Sequence, residues 1–214
     1  MNFLTDKAFV FSKSGIFSYS DVLVWLGDKN RNSVRGLVKR AIASGEVLHI
    51  RRGLYCLAPK YNRAGINRFL LANLAYGPSY VSMETALSFH GWIPEAVHLV
   101  TSVSYGRKRS LKTPVGLFSY VQLKQFPLMA GVESLGDDLS PQTFLIAKPL
   151  KAVADLIASR GLDWTGSKPL EGSLRIERED LESLQSGDFD ELEGVYKSRR
   201  ARRFLEGLRK ELGK

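Results

Sequence analysis

Cysteine is nearly absent. Cys56 is the single thiol in 214 residues, so an internal disulfide is excluded and a reducing cytoplasm is the expected compartment. Histidine is almost as scarce: His49, His90 and His98 are scattered, and none shares metal-ligand spacing with Cys56. No apolar run approaches the roughly 20 residues a membrane span requires. Met1-Asn2-Phe3-Leu4-Thr5-Asp6 places no basic region ahead of a long apolar stretch, unlike a secretory signal. A soluble, cytoplasmic chain without membrane association is expected. A Walker-type phosphate loop and a Gly-x-Ser-x-Gly elbow are also missing.

Hydrophobic residues make up 44% and aromatics 10%, which is ordinary for a globular protein with a real core. The length suits one small and one medium domain. The formal net charge is +9 and the pI is near 9.7. A balance this basic favours polyanionic partners, through its field and through counterion release. The charge is also blocked: residues 1–60 and 194–214 are strongly basic, and 171–193 are acidic. Such patterning favours contact surfaces over uniform solubilisation.

The first sixty residues read as three short helices and a hairpin. Leu4, Ala8 and Phe11 repeat at helical spacing up to Ser14-Gly15. Ser20-Asp21 offers a serine N-cap ahead of Val22, Leu23, Trp25 and Leu26, with Gly27 as the stop. In the third helix Val34, Leu37, Val38, Ala41 and Ile42 form an apolar face. Opposite them Arg31, Arg35 and Lys39 make an i, i+4, i+8 column, with Asn32, Ser33 and Arg40 alongside. Arginine can bond guanine bidentately, asparagine can do so with adenine, and lysine seats on phosphate. The bland account of this stripe is a solvated basic face. The next residues along the chain weigh against it, because Val47–Ile50 and Leu54–Leu57 read as strands joined by Arg51-Arg52-Gly53. Gly53 supplies positive φ for the turn, and Arg51 and Arg52 project at its tip. The order is that of a winged helix-turn-helix.

Beyond it, residues 62–76 read as helical, as does the stretch from Ser82, its N-cap, to Phe89. Val97–Val100, Val115–Leu123, Leu128–Glu133 and Phe144–Ala147 read as strands, and Pro149 opens a further helix. The fold class expected is α+β. Three parts are expected: 1–60 DNA-binding, 61–165 a mixed α+β domain, and 166–214 an acidic, then basic, helical tail. Arg107, Lys108 and Arg109 beside Gly106 could grip phosphate or merely solvate a hairpin loop. Arg199, Arg200, Arg202 and Arg203 spread too widely for one helix face. They could meet nucleic acid or pair internally with the acidic stretch, the simpler account.

Three motifs follow one another along the chain: Ser44-Gly45-Glu46 with Arg51-Arg52-Gly53-Leu54-Tyr55, then Tyr80–Leu87 with His90-Gly91-Trp92-Ile93-Pro94, then Phe144–Leu156. In this order they resemble the AbiEi-like antitoxins of bacterial type IV toxin–antitoxin systems. The likeness covers roughly residues 15–160 and stops short of the tail. It implies an antitoxin domain at 61–165 and a repressor of its own operon that binds inverted repeats in double-stranded operator DNA. It further implies a cognate nucleotidyltransferase-like toxin, typically counteracted without a stable complex. The alternative is a module that neutralises its partner by direct protein contact, with only non-specific nucleic-acid binding.

For catalysis the serious candidate is a nuclease fused to the winged helix. Such a site needs an acidic residue followed by a Glu-x-Lys to hold Mg²⁺. Asp137-Asp138 has no such partner, and no Glu-x-Lys precedes the tail. His90 reads as a helix-terminus or packing residue, and Asp155 as structural. No enzyme, cofactor or metal is expected.

Overall fold

The computed structural model describes residues 2–27, 29–62, 65–136 and 142–214. The Asp137-Asp138 pair lies outside them. The architecture is mixed α+β: N-terminal helices with a three-stranded sheet, a six-stranded mixed sheet, and a C-terminal helix.

Three helices open the chain, α1 (Phe3–Phe11), α2 (Tyr19–Leu26) and α3 (Arg31–Ala43). The second starts two residues earlier than its sequence suggests. Ser18 is the cap, and it forms a reciprocal box in which its hydroxyl accepts from Asp21 N and its own N–H donates to the Asp21 carboxylate. That box leaves Ser20 inside the helix. A short strand unmarked in the sequence, β1 (Ile16–Ser18), pairs antiparallel with β3 (Leu54–Leu57), which in turn pairs with β2 (Val47–Arg51). The sheet order is β1-β3-β2.

All four residues of β3 are buried, although alternate side chains of a strand point to opposite faces. Both faces are covered. Phe17, Tyr55 and Leu57 pack with Leu4, Val22, Val34 and Val38 of the three helices. Ile16, Ile50, Leu54 and Cys56 instead join the large core built around the second sheet. Burial alone pushes the Cys56 thiol up to about 12.

The second sheet contains β4 (Ser79–Val81), β5 (Val100–Ser104), β6 (Arg109–Thr113), β7 (Gly116–Gln122), β8 (Val132–Leu135) and β9 (Phe144–Ala147). Its order is β6-β7-β5-β4-β9-β8; the β5–β7 and β4–β9 pairs are parallel and the rest antiparallel. The expected strand at Val97–Val100 falls instead at β5, where buried Ser102 and Ser104 hide a core strand behind polar letters. Helices α4 (Arg68–Ala75), α5 (Met83–Phe89) and α6 (Pro149–Arg160) pack on this sheet. Side chains of the C-terminal segment enter the same core. Leu170, Ile176, Leu181, Phe189 and Leu192 contribute, together with Ala201, Phe204, Leu205 and Leu208 of the terminal helix (Arg199–Leu212), which lies against α6. Between α6 and that helix lie a π-turn at Leu170–Leu174 and two short helices, α7 (Arg178–Glu182) and α8 (Ser186–Asp190), so the terminal helix is α9.

Asp155 is 0% exposed, as is Lys151 one turn before it on α6. The carboxylate is fully partnered. Oδ2 accepts from Tyr80 Oη at 2.8 Å and Ser82 Oγ at 2.7 Å; Oδ1 accepts from Tyr196 Oη at 2.7 Å and lies 3.4 Å from Lys151 Nζ. Lys151 also donates to Gln125 Oε1 at 2.6 Å and lies over the Tyr196 ring. Ser82 precedes α5 as expected of a cap, yet its hydroxyl is spent on Asp155 and makes no capping bond.

Truncating one partner of a buried ion pair leaves the other charge unpaired, at about 3–5 kcal/mol. Asp155→Ala is therefore expected to lose about that much stability in urea unfolding. Alkaline pH probes the same cluster. Burial, with the Asp155 charge behind it, raises the Tyr80 and Tyr196 hydroxyls well above 10.0; burial also raises Tyr55 and Tyr120. As pH climbs past 10.0 the unfolded chain sheds these protons before the folded one does, so stability falls. Burial lowers the Lys151 ammonium and works in the opposite direction, against these four hydroxyls, the buried Cys56 thiol and the Lys148 ammonium that its bond to Glu191 raises. Ultraviolet titration should register these tyrosines only as the protein unfolds; ionisation in the folded state would contradict their burial.

Candidate nucleic-acid interface

Helix α3 begins because Asn30 caps it, its side-chain oxygen accepting from Ser33 N at 2.8 Å. Val34, Val38 and Ala41 are buried, which turns Asn32, Gly36, Lys39 and Ala43 to the opposite side. Arg31, Asn32, Ser33, Arg35, Lys39 and Arg40 are all exposed. Among the described residues no carboxylate forms an ion pair with Arg31, Arg35, Lys39 or Arg40. Lys29, which the sequence pattern did not single out, is also exposed and joins Asn32, Ser33, Gly36, Leu37 and Arg40 around a shallow concavity. Its only sequence signal is its place immediately before the cap.

The β2–β3 hairpin turns through Arg51-Arg52-Gly53, with Gly53 at φ +77°. The two arginines behave differently. Arg52 is exposed. Arg51 is half-buried and folds back, donating to Arg52 O at 2.9 Å and to Leu74 O of α4 at 3.2 Å. The hairpin is thereby tied to the second sheet, and β2 runs against β6.

That contact brings the second basic cluster alongside. Arg107, Lys108 and Arg109 are exposed, and Arg109 already belongs to β6 rather than to the loop. The Arg109 guanidinium stacks on Tyr76, whose hydroxyl donates to Arg107 O at 3.3 Å. The approach is close: a Cβ on Gly106 would lie 2.2 Å from the Tyr76 oxygen. Arg52 and the β6 cations thus flank one junction between the two sheets.

The C-terminal arginines divide. Arg200 and Arg203 both pair with Asp163 Oδ1 at 3.1 Å, while Arg199 and Arg202 are exposed without an ion pair among the described residues. Internal pairing holds for two of the four, and their partner lies in the turn after α6 rather than in the acidic stretch. That stretch pairs elsewhere, with Asp190 on Arg209 and both Glu171 and Glu182 on Arg178.

The histidines do not converge. His49 is exposed beside the Tyr55 ring, His98 is exposed, and His90 closes α5 with Nε2 at 2.9 Å from Ala147 O. Among the described residues no three His, Cys, Asp or Glu side chains gather where they could hold a metal. No helix of the described residues is long and apolar enough to cross a membrane. No known protein-family model matches the chain, and no curated protein matches it either.

The hairpin depends on its glycine. A Cβ at Gly53 meets nothing within 4 Å, so Gly53→Ala carries only the backbone penalty of positive φ, about 1–2 kcal/mol. A thermal melt should register a loss of that order, and no loss would mean the turn relaxes out of this conformation.

Proposed function

We propose that this chain is a DNA-binding transcriptional regulator whose residues 1–60 form a winged helix-turn-helix. In this reading α3 enters the major groove and the β2–β3 hairpin is the wing. The observation that carries it is the outward face of α3, where amide and cationic side chains stand exposed and, among the described residues, without acidic partners. A stripe of unpaired arginine and asparagine opposite a buried face suits base edges and phosphates.

Arg31, Asn32, Ser33, Arg35 and Arg40 are the proposed reading residues, with Lys39 the proposed phosphate contact on α3 and Arg52 the one at the wing tip. Arg51 serves chiefly to hold the wing to α4. Arg107, Lys108 and Arg109 extend the cationic surface past the wing, and Arg199 and Arg202 remain secondary candidates. The AbiEi-like motifs narrow the role to an autorepressor that binds inverted repeats and acts as antitoxin to a nucleotidyltransferase-like toxin in the cytoplasm. The antitoxin role is assigned to residues 61–165, and no catalytic step is assigned.

One observation favours a second reading, neutralisation of a partner by direct protein contact. The outer side of α1 and α2 exposes apolar residues, with Val10 at 66%, Phe11 at 54% and Val24 at 79%. A stable complex with the toxin, lost in Val24→Asp, would support that reading. Its absence at micromolar concentration would count against it.

Fluorescence anisotropy on the DNA upstream of the protein's own gene, against scrambled duplex across a salt series, tests the first reading. Arg31→Ala and Arg35→Ala should each cost about 1–3 kcal/mol on the upstream site alone. Lys39→Ala should weaken both duplexes alike and reduce the salt slope by about 1. Weak, equal binding that none of the three changes would reduce α3 to a solvated face.

A further inference from the structure

The outward face of α3 holds one residue that the protein's own packing does not require. Gly36 lies in the middle of a 13-residue helix, where glycine is a poor choice because it loses the most conformational freedom on ordering. Its φ is not positive, so no backbone conformation demands glycine. Nor does space: a Cβ there would touch only Arg40 Nη1 among the described residues, at an ordinary 3.5 Å. Alanine would fit and would strengthen the helix. The glycine is also part of the concavity bordered by Lys29, Asn32, Ser33, Leu37 and Arg40.

We infer that Gly36 is the point at which DNA comes closest to the α3 backbone, and that it determines specificity by leaving room for a base edge beside Asn32. The major groove is about 12 Å wide and a helix with its side chains about 10–12 Å across. The fit is therefore tight, and one missing side chain on the outward line lets the helix sit deeper. Asn32, one turn earlier on the same side, can then reach an adenine edge. A longer side chain at position 36 would hold the helix away from the base pairs while leaving the flanking cations within reach of phosphates. This inference rests on the DNA-reading function proposed above.

Gly36→Ala and Gly36→Gln test it, both being good helix formers, by thermal unfolding and by anisotropy on the upstream and scrambled duplexes. The expected result for Gly36→Ala is a midpoint raised by about 2–4 °C, with affinity for the upstream duplex lowered about tenfold. Affinity for the scrambled duplex should not change. Gly36→Gln should lower upstream affinity further at a similar midpoint. Unchanged upstream affinity in both variants overturns the inference while leaving the DNA reading intact. An equal fall on both duplexes overturns the specificity role. A lowered midpoint for Gly36→Ala overturns it too, by assigning the glycine to packing. Wild-type protein that binds both duplexes equally overturns the DNA reading, and this inference with it.

Discussion

A carboxylate removed from water must be given partners, and Asp155 takes its partners from across the chain. An ionised side chain in an apolar interior is strongly unfavourable unless its lone pairs are filled. Here Tyr80 comes from β4, Ser82 from the entry to α5, Lys151 from α6 itself, and Tyr196 from the segment ahead of α9. Gln125, after β7, closes the circuit by accepting from Lys151 and donating to the Tyr80 hydroxyl at 2.5 Å. β4, the entry to α5, the segment after β7, α6 and the segment ahead of α9 are joined through this one set of partners. The apolar core supplies most of the driving force, but apolar contacts tolerate sliding and a saturated buried charge does not.

From that cluster the constraint passes outward to the N-terminal part. β4 pairs with β5, and β5 in turn with β7. Tyr120 of β7 donates to Ala72 O of α4 at 2.8 Å, and Asn73 of α4 bonds both Leu145 N and Leu145 O on β9. Leu74 O, the next carbonyl along, accepts from Arg51. The hairpin is thus attached to the second sheet through α4, and the central strand of its own sheet, β3, is buried on both faces. Helix α3 is different: it packs on one side only, and its cations lack acidic partners among the described residues. Under the proposed function, the arrangement holds the wing firmly and leaves the reading helix exposed beside it.

The parts of this fold legible in the sequence are those whose signal is local. The α3 periodicity, the Arg-Arg-Gly turn, Phe144–Ala147 and the Pro149 helix start all stand where composition and spacing put them. What escaped was written in long-range terms. β1 and β4 are three residues each, too short for a period, and exist because a partner strand is present. β5 carries serines and threonine that look like loop, yet Ser102 and Ser104 are buried. Lys151 and Asp155 have the local signature of an ordinary i,i+4 pair on a helix surface, because nothing nearby in sequence says that Tyr80 and Tyr196 will enclose them. The α3 surface was visible as a stripe of residue types, but its lack of carboxylate partners is a property of the fold alone.

Pairing separates the arginines of this protein more sharply than their number does. Those that hold the C-terminal segment in place meet carboxylates: Arg178 with Glu171, Glu182 and Glu211, Arg209 with Asp190, Arg200 and Arg203 with Asp163. Each such pair is worth little at a wet surface; among the described residues Asp190 on Arg209 and Glu211 on Arg178 join the acidic stretch to the tail, whereas Arg200 and Arg203 turn to Asp163 after α6. Cancellation within these pairs leaves much of the net positive charge on α3, at Arg52 of the hairpin, and on β6 with the loop before it. Arg199 and Arg202 of the tail are likewise exposed without an ion pair among the described residues, so the number of unpaired cations does not by itself separate the two regions. What sets α3 apart is that its sequence holds no carboxylate, whereas the terminal helix carries Glu206 and Glu211 among its cations; under the proposed function a polyanion nearing α3 meets no acidic side chain of that helix.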